Sequence, residues 1–275
     1  MVHDDGKAPS ELMSRFLLIL LVATALSKAT CAASSFKEVP ELEKFFKNRS
    51  VVGTFVLFDP DSDTMFVWNE ERAKQRFVPA STFKIANSLI GLDVGAVKDV
   101  DEVLPYGGKP LRIKAWERDM SLRDAIKASN VAIYQELARR IGLERMRQGV
   151  KKFGYGNMEI GNVVDRFWLD GPLAISAVEQ TQFLSRLVNG DLPVNSSFVH
   201  AVKDITPQEE TKYYRVRGKT GWAFDVKPQI GWWVGWVERE KKLYPFALNI
   251  DIINDKDAAK RIHIGRDCLK SLGKL

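Results

Sequence analysis

The sequence predicts a mixed α/β fold: an antiparallel-rich sheet flanked by helices, with an all-helical segment of about 93–190 inserted into it. Three observations carry this expectation. Short β-branched and aromatic runs occur towards both ends of the chain, the middle has helical periodicity, and the last residues return to a helical pattern.

In chain order, "VVGTFVLFD" (Val51 to Asp59) and "TMFVWN" (Thr64 to Asn69) surround "PDSD" and read as a hairpin. A helix is expected from about Pro79 to Leu92, because proline suits a first helical turn. The stretch "LPYGGKPLR", Leu104 to Arg112, carries the Gly and Pro punctuation of a loop. Ser121 with Asp124, and Ser176 with Glu179, have capping-box spacing. "NVAIYQELARRIG" presents an apolar stripe of Val131, Ile133, Tyr134, Leu137, Ala138 and Ile141, and closes on Gly142. After about Leu192 come the strand-like runs "KYYRVRGKTG", "IGWWVGWVERE" and "YPFALNIDI", then a helix from about Asp257 to Leu272. A cleft between sheet and insertion is the natural ligand site.

The ends and the composition set further bounds. "FLLILLVATAL", Phe16 to Leu26, is too short to span a bilayer comfortably, and small residues follow it up to Cys31–Ala33. Residues 1–32 therefore read as a secretory signal peptide, with Met13 as an alternative start, and 33–275 as one domain without a stable membrane anchor. The expected location is periplasmic or secreted; Cys31 as a lipidation site is a minor alternative. Cys268 is then left alone and is expected to be a buried small hydrophobe. Of 275 residues 45% are hydrophobic, and the net charge of +6 is dispersed, so nucleic acid is not an expected partner. His200 and His263 lack metal-helix spacing and read as surface residues. No metal is expected, and neither a G-x-S-x-G elbow nor a phosphate-cradling loop is found.

Against that background three polar motifs fall in order: Ser81-Thr82-Phe83-Lys84, Ser129-Asn130-Val131 and Lys219-Thr220-Gly221. Each alone is weak. Together, as S-x-x-K, S-x-[NV] and K-T-G, they mark serine β-lactamases and penicillin-binding proteins. With "YGN" (Tyr155 to Asn157), "FWLDGPLAIS" (Phe167 to Ser176) and "KTGW" before "GWWVGWVE", the chain resembles the class D (OXA-type) β-lactamases from roughly Val51 onwards. Val131 matches the S-x-V form of class D, and the E-x-x-L-N stretch of class A is missing.

The resemblance implies a transpeptidase-like fold and hydrolysis of β-lactams, small-molecule substrates, through a Ser81 acyl-enzyme. A buried Lys84 has a depressed pKa and can react with carbon dioxide. By resemblance it becomes N6-carboxylysine, the base for acylation and deacylation, held by the indole N–H of Trp168. Carbon dioxide or bicarbonate is then required, and no other cofactor. The resemblance further implies Ser129 as a proton relay tuned by Lys219, and an oxyanion hole from the N–H groups of Ser81 and Trp222. It gives Thr220 and Arg261, within and beyond the motif that ends on Gly221, to the substrate carboxylate. Val131 would line the pocket, Trp116 either flanks the cleft or simply packs, and Tyr155 and Asn157 support it. The family includes monomers and homodimers. The alternative is a non-hydrolytic β-lactam sensor or penicillin-binding protein.

Overall fold

The computed structural model describes residues 35–275. The expected signal peptide, Met13 and Cys31 lie outside the described residues. The elements begin with β1 (Ser35–Glu38), α1 (Glu43–Lys47), β2 (Gly53–Asp59), β3 (Thr64–Trp68), α2 (Glu70–Lys74) and, after a short 3-10 turn, α3 (Lys84–Asp93). Then come β4 (Val103–Leu104), β5 (Met120–Ser121), α4 (Leu122–Ala128), α5 (Val131–Ile141), α6 (Leu143–Phe153), α7 (Ala177–Asn189) and α8 (Ser196–Asp204). Strands β6 (Pro207–Glu210), β7 (Tyr214–Ala223), β8 (Gln229–Arg239) and β9 (Lys242–Ile252) precede α9 (Asp257–Ser271).

Among the described residues seven strands form one sheet in the order β1-β3-β2-β9-β8-β7-β6. Every pairing is antiparallel except β1 with β3, and the β2–β3 hairpin forms as expected. The alternation of the long strands sends side chains to two cores. On one face Trp233, Phe246, Leu248 and Ile250 pack with Ile264, Cys268 and Leu269 of α9. On the other, Trp232, Val234, Trp236 and Ala247 join the interior of the helices, including Phe83, Leu89 and Leu137. Gly265 lets α9 lie close to the sheet, because a β-carbon there would be 2.4 Å from Trp233 Cε3.

The helical insertion needs one adjustment at its far end. The span of about 93–190 takes in α7, yet α7 packs on β2 and β9. Its apolar face, with Phe183, Leu184 and Leu187 buried, belongs to the layer under the sheet. Ser176 and Glu179 make the full reciprocal capping box, whereas Ser121 only accepts from the Asp124 N–H. His200 and His263 are exposed, and Cys268 is buried and free. No helix among the described residues is long and apolar enough to cross a membrane.

Candidate active site

The nucleophile candidate sits on a turn rather than a helix. Residues Ala80–Phe83 form the 3-10 turn, and α3 begins only at Lys84, later than the expected Pro79. Two local features tighten the chain there. Ala80 takes φ +49°, a left-handed conformation uncommon for a residue with a β-carbon. Thr82 Oγ1 donates to the Pro79 carbonyl at 2.7 Å. Neighbouring elements then fix the turn: Gln180 Nε2 of α7 donates to Thr82 Oγ1 at 2.8 Å, and Trp232 Nε1 of β8 to the Val78 carbonyl at 2.9 Å. Strand β7 presses on the same turn at Gly221, where a β-carbon would lie 3.0 Å from the Pro79 oxygen and 3.1 Å from Thr82 Cγ2. The glycine of the K-T-G motif is thus a close-approach residue.

Lys84 follows one turn on, and its Nζ lies 2.9 Å from Ser81 Oγ. The side chain is 1% exposed and points over the ring of Tyr134, 5.1 Å from its centroid. Burial, and then the charge of Lys219, hold its pKa well below the usual 10.5. Tyr134 is tied to α3 through a 2.8 Å bond between its hydroxyl and Ser88, and Asn87 Nδ2 donates to its carbonyl at 3.3 Å. These bonds lock α5 onto α3.

Trp168 packs behind the Ser81 turn, against Phe83. It stacks on Phe83 at 5.7 Å and meets Phe167 edge-on at 5.0 Å. The indole is fully buried, and its Nε1 has no hydrogen-bond partner. A buried unpaired donor costs about 1–3 kcal/mol, and Trp233 Nε1 in the core under α9 is unpaired in the same way. The segment carrying Trp168 is held by Asn157, whose Oδ1 accepts from the Ala174 N–H and whose Nδ2 donates to the Pro172 carbonyl. Tyr155 packs edge-on against Phe83 at 5.4 Å, and its hydroxyl donates to Gln180. Both residues thus make structural contacts, Tyr155 with Phe83 and Gln180 and Asn157 with the segment 172–174.

Ser129 occupies the junction of α4 and α5 in a left-handed conformation, φ +54°. Asn130 behind it is a structural clamp. Its Oδ1 caps α5 by accepting from the Ile133 N–H, and its Nδ2 donates to the Trp116 carbonyl at 3.0 Å. Trp116 Nε1 in turn donates to the Ala128 carbonyl at 3.0 Å, which fastens this half-buried residue beside Ser129. Val131, also half-buried, opens α5.

Strand β7 supplies the opposite side. Lys219 is 4% exposed and donates to the Thr220 carbonyl at 2.9 Å. Burial, then the charge of Arg261, pulls its pKa down to about 7. Trp222 is half-buried, with Nε1 donating to Gln229 at 2.8 Å. Arg261, on α9, has buried Nε and Nη1 atoms without partners, and desolvation lowers its pKa to about 10. A guanidinium still keeps its proton there at neutral pH. Lys84, Lys219 and Arg261 thus gather as basic groups, the two lysines buried and the arginine half-buried, and no carboxylate among the described residues lies within ion-pair distance of any of them. Such a cluster is a receptor for anions.

Of the expected residues, the structure brings Ser81 and Lys84 into contact and sets Lys219 and Arg261 within reach of their charges. Tyr134, Gln180 and Trp232 are additions. Tyr134 was visible as part of the α5 stripe, but nothing in its spacing marked it as the floor beneath Lys84.

Residues 45–270 match the model for the penicillin-binding protein transpeptidase domain. A Ser-x-x-Lys pair with its lysine buried, under a K-T-G strand on this sheet, defines the active-site-serine enzymes that react with β-lactams. The chain is 40% identical over 260 residues to β-lactamase OXA-5 of Pseudomonas aeruginosa, covering 94% of this chain and 95% of that one. Two solved structures are similar throughout. The class D β-lactamase FUS-1 (OXA-85) of Fusobacterium nucleatum subsp. polymorphum superposes with TM-score 0.84 at 43% identity, covering 87% of this chain and 100% of that one. The class D β-lactamase YbXI of Nostoc gives 0.83 at 43% identity, covering 85% and 99%. The chain belongs to the class D β-lactamases and is a β-lactam hydrolase.

Proposed function

We propose that hydrolysis runs through an acyl-enzyme on Ser81, with Lys84 serving as general base in its N6-carboxylated form. The unpaired Nε1 donor of Trp168, on the ring that stacks on Phe83, together with a Lys84 whose pKa burial holds well below the usual 10.5, carries this reading. A neutral amine can take up carbon dioxide, and the resulting anion suits both a cationic surrounding and an indole N–H. Carboxylation supplies a carboxylate-like base close to Ser81. Ser81 Oγ gives up its proton to Lys84 and bonds to the lactam carbonyl carbon. The Ser81 and Trp222 N–H groups take the developing oxyanion. The ring C–N bond breaks, and Ser129 relays the proton from Lys84 to the nitrogen, assisted by a Lys219 whose pKa is drawn down to about 7, which returns Lys84 to its anionic form. Thr220 and Arg261 hold the substrate carboxylate, and Val131 keeps the pocket apolar. Water, deprotonated through Lys84, then cleaves the ester, and Ser81 regains its proton. On the same reading the mature protein, 33–275, works in the periplasm or outside the cell, and sedimentation decides between monomer and homodimer.

The test is a time course with a chromogenic cephalosporin, with and without bicarbonate, beside Lys84→Ala. The expected outcome is many turnovers, faster with bicarbonate and lost in the variant. A stoichiometric burst unmoved by bicarbonate sinks the proposal and favours a sensor-like binding protein.

A further inference from the structure

Another cation stands just beyond the end of β7, outside the machinery above. Arg112 lies in the exposed loop between β4 and β5, with its guanidinium 4.8 Å over the ring of Phe224. Phe224 follows β7 directly and meets the Trp222 ring edge-on at 6.5 Å. The backbone around Arg112 is pinned. Glu117 accepts from the Leu111 N–H at 3.0 Å and from Lys114 at 2.5 Å, and the Trp116 N–H donates to Ile113 at 2.9 Å. Trp116 is itself fastened beside Ser129. Arg112 therefore bridges the segment that leads to Ser129 and the segment that leaves Trp222. Among the described residues no carboxylate lies within ion-pair distance of it. Glu117 is taken by Lys114, and the charge of Asp225, beside Phe224, acts on Arg166.

The direction of the substrate decides what this cation meets, and here the inference rests on the reading above. With the ring carboxylate at Thr220 and the lactam oxygen at the Trp222 N–H, the substrate lies along β7. The acylamino group of a bicyclic β-lactam is carried by the ring carbon next to that carbonyl, away from the carboxylate. It continues past Trp222, and two residues of strand, about 7 Å, reach Phe224. We propose that Arg112, seated on Phe224, recognises β-lactams whose acyl side chain bears a carboxylate and disfavours those bearing an ammonium there.

Benzylpenicillin, carbenicillin and ampicillin test this, since they differ at one side-chain carbon as neutral, carboxylate and ammonium. kcat/KM is measured for each on the wild type, Arg112→Gln, Arg112→Glu and Phe224→Leu. The carbenicillin-to-ampicillin ratio is expected to fall about fivefold in Arg112→Gln, the scale of an exposed ion pair, chiefly through KM. It falls further in Arg112→Glu and less in Phe224→Leu, and added salt lowers it in the wild type alone among the first two proteins. A wild type that fails to turn over benzylpenicillin brings down the acyl-enzyme reading and this inference with it. Normal turnover with an unchanged ratio overturns this inference alone.

Discussion

Lys84 and Trp168 are each poorly placed for stability, one a buried amine and the other a buried donor without a partner. Trp168→Phe keeps the ring stacked on Phe83 but deletes the unpaired N–H. Turnover is expected to fall roughly 10²-fold, as for loss of a general base, with partial rescue by bicarbonate and a weaker carboxylysine signal in ¹³C NMR. A variant with full activity and an undiminished signal would remove Trp168 from the mechanism. Arg261 sharpens the same point, because its buried Nε and Nη1 have no partners. Arg261→Gln should lower kcat/KM about 10–100-fold, mainly through KM, the scale of a charge-assisted hydrogen bond. Its melting temperature should rise, since an unpaired buried charge has been withdrawn. A fall in both would make Arg261 a structural residue. The contact of Ser81 with Lys84 was legible in the sequence because the two are three residues apart and share a face. Tyr134 and Gln180 were not, for they reach the site only when α5 and α7 pack against the turn.

Elements transmit small displacements to the site through their glycines. Gly221→Ala would press a methyl group against the Pro79 oxygen and Thr82 Cγ2, driving β7 from the turn that carries Ser81. Since misplaced groups lose rate steeply, kcat should drop roughly tenfold or more with little change in far-UV circular dichroism. Unchanged kcat would show that β7 can yield without consequence. At Gly265 the clash with Trp233 is harder, 2.4 Å, so Gly265→Ala should destabilise by about 1–3 kcal/mol in urea titration. It also tilts α9 one turn from Arg261. The long strands and helices were legible through period and caps. Strands β1, "SFKE", and β6, "PQEE", were not, because both are exposed or nearly so and lack an apolar alternation.

For the whole molecule, burying lysines makes stability depend on pH. Unfolded, Lys84 and Lys219 hold their protons up to about 10.5, whereas folded Lys219 loses its proton near 7 and Lys84 is shifted the same way. Above pH 7 the unfolded chain thus binds more protons, and stability rises with pH, by up to about 1.4 kcal/mol per unit for each lysine. The opposite drift begins above about 9, where the buried Cys268 thiol, and then the Tyr134 and Tyr155 phenols, resist the ionisation open to the unfolded chain. Urea midpoints should therefore climb between about pH 7 and pH 9, and Lys219→Met should flatten the climb. A flat profile in the wild type would mean these amines stay charged when buried. The sheet-plus-insertion architecture was legible from the order of strand and helix signals. The membership of α7 was not, because its apolar face is indistinguishable in sequence from that of an insertion helix.

The register of β6 against β7 has one more consequence. β6 pairs only with Arg215, Val216 and Arg217, so the outer edge of β7 from Lys219 onward is left uncovered by a strand. Main-chain groups on that edge are available to a bound molecule, and no side-chain replacement short of proline can take an N–H away. Inhibitors that draw their affinity from this strip of backbone leave evolution little to delete. Escape is pushed outward, to surface loops such as the one carrying Arg112, where residues change at small cost to the fold.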